Sequence, residues 1–313
     1  MPAPSPAVHP SPALWAAGAA ALASVFFGGM VFATRFAIGQ TEPLTLAFFR
    51  CGIGATCLLP VLLRSGRARV LREDRAGVAA LGLLLYTVMP VSLAVGLQYT
   101  YASRGALVLA SQPFLTLLLS RWRGEERLSA AKIAGIGLTV AGLALALGGA
   151  GAGSVSPTVW LGDAVTLFAA LCVSIYTVWS RPYLKRYPPL VFTALTMTVG
   201  ALALLPAAGA LAWLRGWPAL TPLGWAALLY IGTFGAALGY WLWSWALERT
   251  TPMRVAVFLT LNPLTATLLG VALLGEPLGL PFVAGGGIVV VGIVVAHGWR
   301  GERPHGKALE TAR

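Results

Sequence analysis

The sequence predicts an all-α membrane protein with ten transmembrane helices, arranged as two inverted five-helix repeats with both termini in the cytoplasm. Three features carry this prediction: the composition, the spacing of uncharged runs and a self-similarity between the two halves. Of the 313 residues, 58% are apolar and only 10% are charged, whereas soluble domains carry about 25% charged residues. This composition excludes a soluble enzyme, and it excludes a disordered chain because disordered chains are polar.

Charged residues divide the chain into ten apolar segments, each close to the ~20 residues that cross a bilayer core. The segments are 14–34, 44–63, 77–97, 105–120 and 132–148 in the first half, and 158–180, 190–213, 222–245, 255–274 and 278–297 in the second. We therefore expect a first repeat over 14–148, a second repeat over 158–297 and a cytoplasmic tail over 298–313. Residues 1–13 are rich in Pro, Ser and Ala and lack the basic start of a signal peptide, which predicts a disordered tail.

The positive charges predict the orientation in the membrane. A net charge of +12 would suggest nucleic-acid binding in a soluble protein, but here Lys and Arg lie in short loops between apolar segments. All but four of the 22 Lys and Arg residues fall on the side that holds the N-terminus; the others are Arg35, Arg50, Arg104 and Arg215. Because Lys and Arg concentrate in cytoplasmic loops, we predict cytoplasmic termini, a bacterial-type inner (plasma) membrane and no nucleic-acid partner.

The two halves of the sequence match each other. A shift of 150 residues aligns Thr100 with Thr250, Arg104 with Arg254, Pro113 with Pro263, Glu126 with Glu276, and Gly135, Gly137 and Gly142 with Gly285, Gly287 and Gly292. A shift of 146 residues aligns earlier positions, placing Pro43 on Pro189. Because each copy holds five helices, an odd number, the second copy enters the membrane from the opposite side. Inverted repeats of this kind are typical of secondary transporters.

Several short motifs follow one another in a recognisable order. They are an arginine seven residues after Pro43, Gly-Glu-Glu-Arg-Leu at 124–128, Asn262-Pro263, Gly-Glu-Pro-Leu at 275–278 and a Gly-rich last helix. In this order they resemble the drug/metabolite transporter superfamily, and specifically its EamA-type exporters, over residues 14–297. The resemblance implies export of amino acids, other small metabolites or drugs, with bacterial amino acid and aromatic amino acid exporters as the nearest functional models. Gln112 stands where some aromatic exporters carry a larger residue, which weakens an aromatic-only substrate.

Two amide–proline pairs lie at matching depth in the fourth and ninth segments. Gln112 precedes Pro113, and Asn262 precedes Pro263. A proline removes a backbone hydrogen bond and kinks a helix, and interrupted helices mark binding sites in transporter folds. We expect the two prolines to be helix kinks and the two amides to bind substrate. A structural interpretation stays open, in which the amides join neighbouring helices.

Aromatic and hydroxyl side chains near the middle of the membrane form a second group of candidates. A hydroxyl in hydrocarbon needs a hydrogen-bond partner, and a central cavity would supply one. The candidate substrate-binding residues of this group are Tyr86, Ser111, Tyr176, Tyr230 and Trp241. Packing between helices is the alternative for the aromatic residues, and small hydroxyls such as that of Ser111 also bond readily to their own helix.

Three charged residues are candidates for gating or for structural pairing. Arg50 lies about two turns into the second segment, where an arginine usually faces a partner or water. Glu42 lies on the same side of the membrane and is a candidate partner for it. Asp163 is the deepest acid, about one turn into the sixth segment. Because proton-coupled carriers usually need an ionisable group within the membrane, we expect a facilitator, or weak proton coupling through Asp163.

These features together predict a secondary transporter that exports small amphipathic metabolites, with amino acids as the leading class, by alternating access through a central cavity between the repeats. A drug or sugar-nucleotide carrier of the same superfamily is an alternative. A sugar-nucleotide carrier would need basic residues in the cavity to meet phosphates, and Arg50 alone approaches that depth. A channel is a weaker alternative, because no repeated carbonyl or charged rings are visible.

Enzymatic, metal and cofactor chemistry find no support in the sequence. There are no paired acids, no His-Glu-x-x-His motif and no Ser/His arrangement at depth. The three cysteines have no metal-ligand spacing, so we expect no metal and no cofactor. Gly235 and Gly239 form a small-residue motif, which we interpret as internal packing rather than a dimer contact. This interpretation favours a monomer. The expected partners are the lipid bilayer and a small-molecule substrate.

Overall fold

Helices account for all regular structure in the described part of the chain. A computed structural model describes residues 12–64, 70–124, 129–148, 156–250, 255, 258–275 and 279–298. The tail predicted over 1–13 lies outside this part except for its last two residues, which begin the first helix, and of the tail predicted over 298–313 only Gly298 is described. Glu126 and Glu276, the matched acids of the two repeats, also lie outside it.

The described part of the first half holds seven helices. They are α1 (Pro12–Ala37), α2 (Pro43–Arg64), α3 (Arg75–Leu83), α4 (Met89–Tyr99), α5 (Ala102–Leu109), α6 (Gln112–Trp122) and α7 (Ala130–Gly148). A short 3-10 turn, Arg72–Asp74, precedes α3, and a π-helical stretch, Leu84–Val88, joins α3 to α4. The predicted third and fourth segments are therefore each built from two consecutive helices.

The second half repeats this pattern. It holds α8 (Pro157–Trp179), α9 (Arg181–Leu184), α10 (Pro189–Arg215), α11 (Pro222–Tyr230), α12 (Tyr240–Arg249), α13 (Leu261–Leu274) and α14 (Leu280–Gly298). A π-helical stretch, Ile231–Gly239, joins α11 to α12, and a 3-10 turn, Phe258–Thr260, precedes α13. The π-helical stretches thus fall at corresponding places in the two halves.

Within the described residues, seven helical segments are long and apolar enough to cross a membrane, judged by length and composition. They are Trp15–Ala37, Pro43–Arg64, Arg72–Tyr99, Ala102–Trp122, Pro157–Trp179, Pro189–Arg215 and Pro222–Arg249. Three shorter apolar helices, Ile133–Ala146, Leu261–Leu274 and Leu280–Gly292, lie where the fifth, ninth and tenth segments are predicted. The protein is therefore a multi-pass membrane protein.

The first helix of each half packs into the other half. Helix α1 packs against α12 and α13, and α8 packs against α4 and α6. Helix α2 packs along α10, its counterpart, and α7 packs along its counterpart α14. The region between α1, α4, α8 and α12 is consequently lined by both halves.

Glycines at these crossings make contacts that occur in matched pairs. A Cβ added to Gly142 would lie 2.6 Å from the carbonyl oxygen of Gly285, and one added to Gly292 would lie 2.7 Å from that of Gly135. The 150-residue shift converts one contact into the other. Small residues at helix crossings let backbones approach closely, so substitution at these positions must separate the helices.

The buried thiol of Cys51 contacts a backbone carbonyl four residues before Pro90, which lies at the start of α4. Proline has no N–H to donate to the carbonyl four residues earlier, which here belongs to Tyr86. The thiol of the buried Cys51 lies 3.0 Å from this oxygen and donates to it. An unsatisfied carbonyl in a membrane protein interior is unfavourable, and the thiol supplies a replacement donor within the π-helical stretch.

A polar cluster at the loops also joins the halves. Arg186 donates to Asp74 at 2.9 Å, and the hydroxyl of Tyr187 donates to the same carboxylate at 2.7 Å. Burial of the phenol, together with its hydrogen bond to Asp74, raises the pKa of Tyr187 above its ordinary value. Tyr187 therefore stays a donor at neutral pH.

Candidate functional site

The two amide–proline pairs lie directly after breaks in the helices. Helix α5 ends at Leu109, and Gln112 and Pro113 form the first turn of α6. Asn262 and Pro263 lie in the first turn of α13, directly after the 3-10 turn. Proline is tolerated in a first helical turn because its missing N–H would have no partner there. Each proline thus lies in the first turn of the helix that follows the break, and its role as a kink of the whole membrane segment stays a prediction.

A small central cavity brings the two amides together. Its walls include Gln112 from one half and Asn262 from the other, which are only 6% and 5% exposed. The other lining residues are Phe27, Met30, Val31, Met89, Leu93, Leu109, Val173, Tyr240, Trp243 and Leu259. The cavity volume of about 30 Å³ holds about one water molecule, so the cavity is too small for an organic solute in this structure.

The polar groups of this site are incompletely paired. The side-chain oxygen Oδ1 of Asn262 is buried and has no hydrogen-bond partner in the described part of the chain, and the same holds for the hydroxyl of Ser111. Ser174, on α8, donates to the backbone carbonyl of Gln112 at 3.2 Å. Buried polar groups normally find partners, so the unpaired amide oxygen is an acceptor that a bound solute could satisfy.

An aromatic cluster lies beside the cavity. The ring of Tyr86 makes edge contacts with Tyr240 at a centroid distance of 5.3 Å and with Tyr176 at 6.3 Å. Both Tyr86 and Tyr176 are fully buried, and the hydroxyl of Tyr176 faces those of Tyr86, Thr196 and Ser244. Tyr86 lies in the first π-helical stretch and Tyr240 directly follows the second. Such stretches are frequent at functional sites.

Arg50 joins this cluster rather than pairing with Glu42. It is 1% exposed and donates to the hydroxyl of Tyr240 at 3.0 Å. Glu42 lies near the surface instead, in an ion pair with Arg215. The expected ion pair between Glu42 and Arg50 does not form. The Arg50 side chain is buried inside the protein, whereas Glu42 directly precedes the first residue of α2 and lies near the surface.

Asp163 has a partner of its own. Its carboxylate lies 2.5 Å from Arg104 and accepts from the Thr100 hydroxyl at 2.7 Å. The guanidinium of Arg104 also lies over the ring of Trp160, 5.5 Å from its centroid. These contacts join α8 to the α4–α5 connection, and both charged side chains are buried. Asp163 is therefore held in an ion pair away from the central cavity.

None of the four candidate aromatic residues is among the residues that line the cavity; Tyr86 and Tyr176 lie in the cluster beside it. Tyr230 is half-buried and faces a groove formed with α1, where its hydroxyl contacts the carbonyl of Phe26 at 3.4 Å. Trp241 is half-buried and is absent from the lining. In their place Tyr240 and Trp243 line the cavity. A regular period of 3.6 residues does not predict that Tyr240 and Trp243 face the cavity. The π-helical stretch Ile231–Gly239 before them changes the side of the helix on which the following residues lie.

Metal binding has no support in the described residues. Among them, no group of three or more His, Cys, Asp or Glu side chains is placed to hold a metal ion. What the site does offer is amides, hydroxyls, one buried guanidinium and an apolar wall. This combination suits reversible binding of a small organic solute.

Comparison with known families agrees with this description. The EamA-like transporter family matches residues 14–148 and 160–297, which together make up most of the chain. The chain belongs to the EamA-like transporter family, and the relatives reported below are named as transporters rather than enzymes.

Curated relatives cover nearly the whole chain. An uncharacterized transporter of Archaeoglobus fulgidus is 29% identical over 87% of this chain and 95% of its own length. A probable terminal-alkyne amino-acid exporter of Streptantibioticus cattleyicolor is 28% identical over 80% of each chain. A solved crystal structure, 22% identical, aligns with a TM-score of 0.68 over 90% of this chain and 96% of its own, and this likeness shows the fold alone.

Proposed function

We propose that the protein is an inner-membrane exporter of small amphipathic metabolites, with amino acids as the leading class, and that it works by alternating access through the central cavity. The observation that carries the proposal is that Gln112 and Asn262 line the same cavity. These amides occupy matched positions of the two sequence repeats and line one cavity. A binding site shared between two repeats is the arrangement that alternating access requires.

The matched contacts support a two-fold relation between the halves. A two-fold relation makes contacts reciprocal, so that a residue of each half meets the counterpart of its partner. The pairs Gly142–Gly285 and Gly135–Gly292 have this property. Ten membrane helices, with an odd number in each repeat and both termini cytoplasmic, complete the proposed architecture. The repeats then lie inverted, and exchange of their conformations opens the cavity to the other side.

The chemistry of the cavity supports a zwitterionic or neutral solute with an apolar side chain. The amides offer donors and acceptors, while Phe27, Leu93 and Trp243 provide an apolar wall. The cavity volume is far below the ~300 Å³ of a typical ligand pocket, so binding requires the halves to separate. The naming of one relative as a probable amino-acid exporter points to the same class.

Flux measurements on purified protein test this function. Liposomes containing the protein are loaded with labelled amino acids, and efflux is followed with and without a pH gradient, against protein-free liposomes. We expect selective efflux that does not depend on the gradient, because the buried Asp163 is already paired with Arg104. If the pH gradient drives an amino acid against its own concentration gradient, the protein is not a facilitator. Absence of efflux for every amino acid would overturn the proposed substrate class and direct testing to drugs and sugar nucleotides.

A further inference from the structure

Arg50 is a buried positive charge that has no carboxylate partner among the described residues. It is 1% exposed, its one hydrogen bond within the described residues runs to the Tyr240 hydroxyl, and its Nε has no partner. We propose that Arg50, together with the hydroxyls of Tyr86, Tyr176 and Tyr240, binds a carboxylate of the transported solute. This inference rests on the proposed function and names the chemical group that the exporter requires.

A second arginine of the same chain provides the comparison. Arg104 is also nearly fully buried, but a carboxylate, Asp163, lies 2.5 Å from it. Burial of an unpaired charge is strongly unfavourable, and buried charges are ordinarily paired. Among the described residues, no acidic side chain forms an ion pair with Arg50. The position lacks the anion that the other buried arginine has.

The groups around Arg50 suit a carboxylate. A guanidinium presents its donors in a fork that matches the two carboxylate oxygens. Tyr86 and Tyr176 add two buried hydroxyls, and both can donate to an anion. The ring of Tyr86 lies against both Tyr176 and Tyr240. The cluster therefore extends from the guanidinium of Arg50 through Tyr240 to two further phenol groups.

Tyr240 connects this cluster to the cavity. Its side chain lines the central cavity and also accepts the hydrogen bond from Arg50. A movement of this one side chain would expose the guanidinium to a solute in the cavity. Another wall of the cavity includes Asn262, whose unpaired Oδ1 is an acceptor. An acceptor for an ammonium group and a cation for a carboxylate are the two requirements of an α-amino acid.

The experiment compares solutes that differ by one group. Labelled leucine and phenylalanine are tested against their decarboxylated amines, 3-methylbutylamine and 2-phenylethylamine, and against leucinamide and phenylalaninamide. Benzoate and glucose 6-phosphate represent a carboxylate without an amino group and a phosphate ester. Efflux from proteoliposomes, corrected for protein-free liposomes, is combined with thermal stabilisation of the detergent-solubilised protein by each probe. The variants are Arg50→Gln, Arg50→Lys and Tyr240→Phe, and Arg215→Gln serves as the matched surface control.

We expect leucine or phenylalanine to bind and move at least tenfold better than the amine and amide probes. Arg50→Gln should remove this preference, Arg50→Lys should retain part of it, and Arg215→Gln should leave it unchanged. The unliganded Arg50→Gln protein should melt at or above the wild-type temperature, because an unpaired buried charge is removed. A large loss of stability in both Arg50 variants would show a structural role and overturn the proposal.

The remaining outcomes separate this inference from the proposed function. Equal transport of amino acids, amines and amides would overturn the carboxylate site and leave amino acid transport standing. Transport of benzoate but of no amino acid, dependent on Arg50, would support the site and overturn the proposed substrate class. Transport of glucose 6-phosphate alone would overturn both, as would the absence of binding and transport for every probe.

Discussion

Gly142 of α7 and Gly285 of α14 touch through their backbones, so that a Cβ on Gly142 would lie 2.6 Å from the carbonyl oxygen of Gly285. This contact, repeated between Gly135 and Gly292, holds the fifth and tenth predicted segments together along their length. No side chain can enter such a contact without moving a helix backbone.

Alanine substitutions at two adjacent glycines, Gly285 and Gly286, should therefore differ in their effect on the stability of the protein. Gly285→Ala should destabilise the protein by about 1–3 kcal/mol, as overpacking does. Gly286→Ala is the matched control, because nothing lies within 4 Å of its added Cβ, and it should be neutral or stabilising by up to ~1 kcal/mol through helix propensity. Thermal unfolding in detergent measures both, and equal effects would contradict the close contact.

Breaking the buried ion pair between Arg104 and Asp163 should cost far more stability than breaking the surface pair between Glu42 and Arg215. Asp163→Asn removes the buried carboxylate that lies 2.5 Å from Arg104, and we expect a loss of about 3–5 kcal/mol in the free energy of unfolding. Glu42→Gln removes an exposed pair with Arg215 and should change stability by less than ~1 kcal/mol. Both variants are compared by denaturant unfolding.

A double substitution checks the interpretation of that pair. Replacing Arg104 and Asp163 together by Leu should be less harmful than the sum of the single changes, because no lone charge remains. Additive losses in this cycle would show that the two residues act independently.

The amides of the cavity should matter more for transport than for folding. We expect Gln112→Ala and Asn262→Ala to reduce amino acid efflux at least tenfold, through loss of a polar contact to solute worth about 1.5 kcal/mol, with little loss of folded protein. Thr56→Ala, on an exposed face of α2, is the control. Parallel losses of efflux and of folded yield, measured by size-exclusion chromatography, would indicate that the amides only join helices.

The Cys51 thiol should stabilise the π-helical stretch. Cys51→Ala leaves the carbonyl of Tyr86 without its side-chain donor, and we expect a loss of about 1–3 kcal/mol. Cys51→Ser restores a donor and should lose less. Cys57 is exposed, so Cys57→Ala should be neutral in the same unfolding assay. A neutral Cys51→Ala variant would mean that the carbonyl finds another donor.

Much of the helical organisation could be predicted because membrane helices are defined locally. Continuous apolar stretches such as 157–179 and 189–215 must form helices in lipid, since every backbone group needs an internal partner. The breaks before Gln112 and Asn262 also follow from local chemistry, because proline cannot donate its backbone hydrogen bond. Tyr240 and Trp243 could not be predicted as lining residues, since the π-helical stretch before them alters the helix phase.

The repeat pattern, the helical membrane character and the amide–proline pairs are properties of short stretches of chain, and inspection of the residues is enough to find them. The partners of the charges are different. Arg50 meets Tyr240 from 190 residues away, and Asp163 meets Arg104 across 59 residues. Such pairings depend on which helices become neighbours and how each is rotated about its axis. The packing of the two halves settles both, and it placed Arg50, which has no acidic partner among the described residues, next to a side chain that lines the small cavity.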